Sequence, residues 1–401
     1  MNIISPSYEQ AVELLTSVGK FHISLGLDRI SAILNLLGDP QDKLNCIHVA
    51  GTNGKGSVCA ILSSILSAAG KKTGLYTSPH IFKYNERIQI NGKPISDEDF
   101  SCYVFEVSEL ADKNNIDLTE FEILTAVMFK YFADNNVDVV VLETGLGGRF
   151  DATNVIKKNL CSVITHVDLD HTERLGNTIE KIAFEKAGII KKTCPCIIGE
   201  DFEIYKKIAD ENCSKLLTVS KNVDCEYLAL KGTYQRDNLA LALGAVKTVF
   251  PETSQYIIDI GLKNVNHPFR FQYFKDYNLI IDGAHNPNGI TSLKQSLDKY
   301  YPDSQKRFIF GCLKNKDYNK MVNILFSEYV NSNYTPEVYF YHFKHNSSCT
   351  AEVLQEVCPI PSVELTDSTE INFNDGYLNI ICGSFYMIAE LIKQLNLNIS
   401  I

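Results

Sequence analysis

The stretch that decides the fold is Gly51-Thr52-Asn53-Gly54-Lys55-Gly56-Ser57, between a short apolar run at 47–50 and a helix-like segment at 58–69. The three glycines let backbone N–H groups converge on an anion. The following helix directs its positive end at that anion, and Lys55 adds a full charge. The order of strand, glycine turn and helix therefore predicts a phosphate-binding loop, with a plain glycine-rich connection as the alternative.

Length and composition limit the classes of protein to consider. A chain of 401 residues with 45% hydrophobic content can build two substantial cores, so two domains are expected. No apolar run approaches the roughly 18 residues of a membrane span, and the N-terminus lacks a signal-peptide pattern, so we expect a cytoplasmic protein with no membrane partner. The 12 cysteines lack the paired spacing of a zinc site, and the net charge of -10 opposes nucleic-acid binding. Small-molecule substrates are favoured.

Strand-like and helix-like segments alternate along the chain, which predicts an α/β fold with parallel-rich sheets. Helical periodicity ends near residues 265–270, and a new strand and helix alternation begins there. We place the domain boundary at this point, giving domains of residues 1–266 and 267–401. Within the first domain, strand-like pieces are expected at 196–199 and, more weakly, around 225–227.

Three polar side chains follow predicted strand ends: Ser78, Glu143 and His171. Parallel strands bring their carboxyl ends to one edge of a sheet, where open α/β sheets bind ligands. A carboxylate at that position is costly to leave unpaired, and a magnesium ion bridging to phosphates would satisfy Glu143; a structural hydrogen bond is the alternative. His166, in contrast, is interpreted as a satisfied or solvated histidine.

Two further polar features are ambiguous from their local sequence. Lys186 lies among apolar and small residues, so its local interpretation is a surface cation that snorkels to water. Gln235 and Asn238 face one direction at the start of an alanine- and leucine-rich helix. They could cap that helix or contact a ligand.

Several motifs together resemble folylpolyglutamate synthase/dihydrofolate synthase, within the Mur ligase family of ATP-dependent amide-forming enzymes. The resemblance covers nearly the whole chain. It rests on the order and spacing of GLDR (26–29), GTNGKGS (51–57), YTSPH (76–80), NERI (85–88), ETGLGGRFDATN (143–154), DHT (170–172), EKAGI (185–189), DGAHNP (282–287) and GSFY (383–386).

The resemblance implies a fold and an activity. Residues 1–266 would form a P-loop ATPase domain, the ATP-binding central domain of a Mur ligase, and residues 267–401 a smaller C-terminal Rossmann-like α/β domain that ligates glutamate. The expected substrates are ATP, L-glutamate and a folate or dihydropteroate carboxylate, with Mg²⁺ at two sites and a monomeric enzyme. The expected reaction passes through an acyl phosphate.

The resemblance also implies roles for individual residues. The nucleotide-binding set is Thr52, Asn53, Gly54, Lys55, Gly56, Ser57, Gln235, Asn238, Arg270 and Asp282. The metal ligands are Ser78, Glu143, His171 and a carbamylated Lys186. The pterin, folate or glutamate contacts are Phe121, Glu122, Arg149, Asp151, Asn154, His285 and Ser384. Catalytic roles fall to Lys55, His171, Lys186 and Arg270.

One departure from the family pattern concerns the segment before Arg270. Relatives commonly carry Pro-Gly-Arg where this chain has Pro268-Phe269-Arg270, so a bulky residue replaces a flexible one. The arginine that contacts phosphate is retained.

Three other functions stay open at this point. A ligase acting on a cell-wall nucleotide precursor would be expected to have an N-terminal nucleotide-sugar domain, whereas about 50 residues precede Gly51. A ligase acting on a nonfolate carboxylate would share the same motifs. A noncatalytic ATP-binding module is disfavoured by the presence of Lys55, Glu143, His171 and Lys186.

Overall fold

The computed structural model describes residues 6–18, 26–221, 223–366, 371–373, 375–395, 397 and 399. The chain divides into two compact units. The first comprises Met1–Ala229 and Arg236–Asn266, and the second comprises Leu230–Gln235 and His267–Ile401.

The first unit is built on an eight-stranded sheet. Its strands are β1 (Cys46–Ala50), β2 (Thr73–Tyr76), β3 (Ile88–Ile90), β4 (Lys93–Pro94), β5 (Val139–Glu143), β6 (Cys161–Ile164), β7 (Cys196–Ile198) and β8 (Leu216–Thr218). Its helices are α1 (Tyr8–Ser17), α2 (Asp28–Leu36), α3 (Lys55–Ala68), α4 (Asp97–Lys113), α5 (Glu120–Asp134), α6 (Thr172–Leu175), α7 (Ile179–Lys186), α8 (Glu203–Glu211), α9 (Gln235–Val249) and α10 (Gln255–Asn264).

The strands of this sheet lie in the order β4-β3-β2-β5-β1-β6-β7-β8. All neighbouring pairs from β2 to β8 are parallel, and only the β3 and β4 pairings are antiparallel. β1 and β5 are buried along their whole length, as expected for parallel strands covered on both faces. β1 lies between β5 and β6, so the loop that follows β1 emerges at the centre of the sheet edge.

Local sequence explains where the helices beside this sheet begin. α5 starts with a capping box, in which the Thr119 hydroxyl accepts the Glu122 N–H at 3.2 Å and the Glu122 carboxylate accepts the Thr119 N–H at 2.8 Å. α3 begins directly after Gly54, and its buried face includes Val58, Ile61 and Leu62. The Ser64 hydroxyl donates a 2.7 Å hydrogen bond to the Gly261 carbonyl and so joins α3 to α10.

The second unit has a six-stranded sheet with helices. The strands are β9 (Gln272–Phe274), β10 (Leu279–Asp282), β11 (Lys306–Phe310), β12 (Glu337–Phe340), β13 (Val363–Glu364) and β14 (Leu378–Cys382), in the order β13-β12-β11-β14-β10-β9. The helices are α11 (Pro287–Tyr300), α12 (Tyr318–Phe326), α13 (Ala351–Val357) and α14 (Phe385–Gln394). Every pairing is parallel except that of β9 with β10.

The predicted class, α/β with a parallel-rich sheet in each part, is confirmed. The weak strand expected around residues 225–227 is wrong: those residues form a turn, and the last strand of the first sheet is β8. β8 is a three-residue edge strand with partly exposed side chains, so it has little periodicity for a sequence pattern to reveal. Within the described ranges, no helix combines the length and apolar character that crossing a bilayer requires.

Candidate active site

The phosphate loop joins β1 to α3 and depends on two glycines at its ends. Gly54 has a left-handed conformation with φ of 92°, and a Cβ there would lie 2.3 Å from Oδ1 of Asn238. A Cβ on Gly51 would lie 1.7 Å from the Thr165 hydroxyl oxygen. Both positions therefore require glycine, and the N-terminal end of α3 follows directly from this loop.

The first half of the loop is fixed to the segment after β6. The Thr52 N–H donates to the His166 carbonyl at 2.8 Å, and the Thr165 hydroxyl donates to the Asn53 carbonyl at 2.7 Å. The His166 ring itself pairs with Glu200, with 2.6 Å between Nδ1 and Oε1, which agrees with its interpretation as a satisfied histidine. Burial alone would raise the pKa of Glu200, but the hydrogen bond and charge of His166 outweigh it and lower that pKa to about 2.

Two lysines converge on a single carbonyl of the loop. Lys55 Nζ donates to the Gly51 carbonyl at 3.1 Å and to the Thr52 carbonyl at 3.2 Å. Lys186 Nζ donates to the same Gly51 carbonyl at 2.7 Å. Only 3% of Lys186 is exposed, so the local interpretation of a snorkelling surface cation is wrong. Burial, together with the nearby charge of Lys55, lowers the pKa of Lys186 well below 10.5.

Ser78 and Glu143 lie together at the edge of the sheet that carries the loop. β2 and β1 both pair with β5, which aligns Tyr76 with Leu142 and Val49 with Glu143. The Ser78 N–H donates to Oε2 of Glu143 at 3.1 Å. Glu143 is buried at the end of β5 and is in register with Val49 of β1, the strand that leads into the phosphate loop, and Ser78 lies beside it.

His171 follows β6 in a left-handed conformation with φ of 49°, at the N-cap position of the short helix α6 and without a capping hydrogen bond from its side chain. Its ring lies 3.9 Å from Asp170 Oδ1 and 3.8 Å from Glu173 Oε1, and its side chain is 38% exposed. No described trio of His, Cys, Asp or Glu side chains could by itself hold a metal ion. A metal at this edge would thus need additional oxygen ligands, such as those of phosphate and water.

The segment 145–154 is held by its own polar side chains. Buried Asp151 accepts the Leu146 N–H at 2.8 Å and the Thr153 hydroxyl at 2.5 Å. Burial raises the pKa of Asp151 above its ordinary value. The Asn154 side-chain amide donates to the carbonyls of Arg149 at 3.0 Å and Gly188 at 3.1 Å. These contacts fix the loop, and a direct contact of either side chain with substrate stays a prediction.

The other predicted substrate residues of the first unit also have structural partners. Phe121 covers Gly145 so closely that a Cβ there would lie 2.5 Å from Phe121 Cζ. Glu122 pairs with Arg29 at 3.0 Å, in addition to its role in the capping box. The Arg149 guanidinium lies 4.0 Å from the centre of the Phe184 ring, and Phe184 is 40% exposed.

In the second unit, Asp282 ends β10 and organises the turn after it. Its carboxylate accepts the Tyr234 hydroxyl at 2.9 Å and the N–H groups of Phe271 and Ala284 at 2.8 Å each. Burial raises the pKa of Asp282. Gln235 is buried beside Tyr234, and His285 Nδ1 lies 2.8 Å from the Gly283 carbonyl.

Ser384 ends the segment between β14 and α14, where it is the N-cap residue and is buried. In the second sheet β14 lies between β10 and β11, so Ser384 and the turn after Asp282 follow neighbouring parallel strands. Asn238 belongs to the first unit, where it contacts Gly54.

Phe269, which stands where relatives commonly have glycine, has a backbone conformation that favours glycine. Phe269 has φ of 59°, in the left-handed region that favours glycine, yet its side chain is fully buried. Its N–H donates to Gln272 Oε1 at 2.9 Å, and its carbonyl accepts the Gly283 N–H at 2.8 Å. The chain thus keeps the backbone shape of a glycine position while inserting an aromatic ring into the core.

Glu86 belongs to the NERI motif (85–88) but has no individual role that its local sequence predicts. Its carboxylate accepts the N–H groups of Ile81, Phe82 and Lys83 at 2.7–2.8 Å, which holds the segment that follows Ser78. A glutamate in the first turn of a short helix was the available signal. His48 was also missed: it is buried in β1, with Nε2 2.8 Å from the Thr153 hydroxyl oxygen.

Comparisons with known proteins match both halves of the chain to Mur ligases. The Mur ligase middle domain matches residues 49–262, and the Mur ligase glutamate ligase domain matches residues 269–358. The dihydrofolate synthase/folylpolyglutamate synthase of Bacillus subtilis is 33% identical, across 97% of this chain and 99% of that protein. The folylpolyglutamate synthase of Lacticaseibacillus casei is 37% identical, across 74% of this chain and 78% of that protein.

Solved structures agree in fold. The structure of E. coli FolC in complex with DHPP and ADP has a TM-score of 0.86 and 30% identity, covering 98% of this chain and 99% of that one. The structure of the bifunctional folylpolyglutamate synthase/dihydrofolate synthase of Yersinia pestis with AMPPNP and Mn ion has a TM-score of 0.86 and 29% identity, covering 98% of this chain and 99% of that one. The family resemblance inferred from the motifs is confirmed, and this chain belongs to the folylpolyglutamate synthase/dihydrofolate synthase family of Mur ligases.

Proposed function

We propose that this chain joins L-glutamate to the carboxylate of a folate or dihydropteroate at the expense of ATP. In the first step an oxygen of the substrate carboxylate attacks the γ-phosphorus of ATP, and ADP leaves. The amine nitrogen of glutamate then attacks the carbonyl carbon of the acyl phosphate, loses a proton and displaces phosphate. The products are an amide, ADP and phosphate.

The observation that carries this proposal is the shared sheet edge of the first unit. The phosphate loop, Glu143, Ser78 and the buried Lys186 all lie there. Phosphoryl transfer depends on positioning and charge neutralisation more than on covalent help. Lys55 and the first turn of α3 supply positive charge and N–H donors on this side, and Arg270 of the second unit is the further cation assigned to phosphate.

The donor set at this edge fits a divalent cation. Ser78 and Glu143 offer a hydroxyl and a carboxylate, and His171 offers an imidazole. At either position, phosphate oxygens and water would complete the coordination of Mg²⁺. When bound, the cation neutralises phosphate charge. We assign two metal positions because Ser78 and Glu143 follow β2 and β5, whereas His171 and Lys186 come from the chain after β6. Titration of Mn²⁺ in the presence of AMPPNP should give two equivalents per chain, and one equivalent would contradict the assignment.

Lys186 is assigned as a carbamylated residue. Carbamate formation requires the neutral amine: nitrogen attacks the carbon of CO₂ and loses a proton, giving a carboxylate-like anion. Burial lowers the pKa of Lys186 well below its ordinary value, and this shift favours the neutral amine. A ¹³C resonance of a carbamate should appear with ¹³C-bicarbonate in the wild type and disappear in Lys186→Met. A signal that persists in the variant would assign the modification to another lysine.

The substrate acid is assigned to the side of the sheet edge lined by Phe121 and the segment 145–154. Phe121, Glu122, Arg149, Asp151 and Asn154 are the proposed pterin or folate contacts, while His285 and Ser384 are proposed to contact glutamate. The side chains of Asp151 and Asn154 are occupied in holding the loop, so we expect much of their effect on substrate binding to be through loop shape.

The test is phosphate release by the purified chain with ATP and L-glutamate, comparing dihydropteroate with a reduced folate. Release with either acid supports the proposal, and the preferred acid defines the activity. Lys55→Ala removes a positive charge from the phosphate loop, and Glu143→Ala removes a proposed ligand of the cation. Each should reduce turnover by about 100- to 1,000-fold. Wild-type turnover in a variant would refute the role of that residue. If no folate acid supports phosphate release, the proposed function is wrong, and the alternatives are a ligase acting on a nonfolate carboxylate or a noncatalytic ATP-binding module.

We further assign a monomeric state and a cytoplasmic location. All 12 cysteines are free thiols, as in reducing compartments. Light scattering on the eluted protein should give the mass of one chain with and without nucleotide. A stable dimer mass would contradict the monomer.

A further inference from the structure

Arg270 is held in place by two side chains that the family motifs do not assign to it. Its Nε–H donates to Nε2 of His267 at 3.3 Å. Its guanidinium carbon lies 4.7 Å from the centre of the Phe385 ring, a distance at which the positive group is attracted to the aromatic face. The guanidinium is therefore restrained along one edge and on one face.

These restraints leave the phosphate-binding part of Arg270 available. Within the described part of the chain, no residue accepts a hydrogen bond from its two terminal amino groups. Those groups form the fork that matches a phosphate oxygen pair. An arginine whose Nε and face are already engaged can present this fork with little loss of side-chain freedom when a ligand binds.

His267 is suited to accept this hydrogen bond. Its burial and the neighbouring charge of Arg270 lower the pKa of His267 to about 3, so the ring is neutral across the physiological range. A neutral imidazole that accepts at Nε2 carries its proton on Nδ1. A protonated ring would offer no lone pair and would repel Arg270.

Phe385 is itself fixed by the turn that follows β10. A Cβ on Gly283 would lie only 2.0 Å from Phe385 Cζ, so the ring rests directly on the backbone of that turn. The Gly283 N–H in turn donates to the Phe269 carbonyl at 2.8 Å. Arg270, Phe385 and the turn are thus joined in one contiguous cluster within the second unit.

We propose that His267 and Phe385 are positioning residues for the reaction, holding the Arg270 guanidinium so that its terminal amino groups face the transferring phosphoryl group. This proposal rests on the proposed function for the identity of the ligand. Neither residue touches the reacting atoms: His267 acts through Nε of Arg270, and Phe385 acts through its face.

The test compares His267→Leu with His267→Gln. The glutamine side chain retains an acceptor near the position of Nε2, whereas leucine removes it at similar volume. A hydrogen bond to a charged group corresponds to roughly a 10- to 100-fold effect, so His267→Leu should lower kcat/KM for ATP by that factor. His267→Gln should recover to within about threefold of the wild type. The KM for L-glutamate should be unchanged in both variants.

Phe385→Leu and Arg270→Lys complete the design. Phe385→Leu keeps apolar bulk but removes the aromatic face, so we expect kcat/KM for ATP to fall by about three- to tenfold. Lysine lacks the Nε–H that donates to His267. Adding His267→Leu to Arg270→Lys should therefore cause little further loss of kcat/KM. Three results would each overturn the proposal. The first is a double variant whose loss of kcat/KM is the product of the two single losses. The second is an equal loss of kcat/KM in His267→Leu and His267→Gln, and the third is wild-type kinetics in His267→Leu.

A binding measurement separates this proposal from the proposed function. Calorimetric titration with AMPPNP requires no turnover, and His267→Leu should weaken its binding at least tenfold while His267→Gln does not. If AMPPNP binding follows this pattern but the wild type has no ligase activity, the proposed function is refuted and the positioning role is supported. Ligase activity together with unchanged AMPPNP binding in His267→Leu would refute the positioning role and retain the function.

Discussion

Replacing Phe269 separates two opposing contributions to stability at one residue. The backbone at Phe269 is left-handed, with φ of 59°, and the side chain is fully buried near Phe274, with ring centres 6.4 Å apart. Truncating a buried phenylalanine to alanine costs about 3–5 kcal/mol. The left-handed conformation costs a residue with a Cβ about 1–2 kcal/mol, which glycine avoids.

The two substitutions should therefore rank in a defined order. Phe269→Ala loses the ring and keeps the backbone strain, so we expect a destabilisation of about 3–5 kcal/mol. Phe269→Gly loses the ring but relieves the strain, so its destabilisation should be about 1–4 kcal/mol. This order is the reverse of that in an ordinary helix or strand, where glycine is the more destabilising of the two.

Calorimetric melting of the full chain checks this prediction. The wild type should melt highest, Phe269→Gly next, and Phe269→Ala about 4 °C below Phe269→Gly. An alanine variant that melts at or above the glycine variant would show that the left-handed backbone stores no strain. A glycine variant that melts above the wild type would show that the buried ring contributes less than the strain it imposes.

Two further predictions concern the first unit. Gly54→Ala should reduce affinity for ADP at least tenfold by calorimetric titration, because its Cβ would meet Asn238 Oδ1 at 2.3 Å in a left-handed backbone; unchanged affinity would refute the described loop geometry. Glu200→Gln should lower stability at pH 7, because the pKa of Glu200 falls from 4.5 to about 2 on folding and its contribution is present above the unfolded pKa. The difference in melting temperature between wild type and variant should shrink as pH falls from about 4.5 toward 2, and a difference that grows there would contradict the sign of the shift.

Much of the fold follows from short-range patterns. The phosphate loop can be predicted from the sequence because its strand, glycine turn and helix are contiguous in the chain. The continuous apolar run of β5 indicates a strand buried on both faces, and this places Glu143 at its carboxyl end. Ser78 could be placed beside it because parallel neighbours end at the same edge, and the 3.1 Å contact between them agrees with that expectation.

What escaped prediction depends on contacts between distant parts of the chain. Lys186 has an ordinary local sequence, yet it is buried where its amine donates to the Gly51 carbonyl, 135 residues away. The bond between Arg270 and His267 spans only three residues, but it requires the left-handed turn at Phe269, which a phenylalanine does not suggest. Helix and strand periodicity carry no information about either arrangement.

The attachment of Thr52 to the His166 carbonyl has a thermodynamic consequence for nucleotide binding. That bond and the one from the Thr165 hydroxyl to the Asn53 carbonyl are made within the protein and attach the loop to the chain that follows β6. The conformational entropy of the loop is then lost when the protein folds and not when the nucleotide arrives. Association should accordingly begin from a rigid receptor, with the first-turn N–H groups of α3 exchanging water for phosphate oxygen and little reorganisation of the backbone.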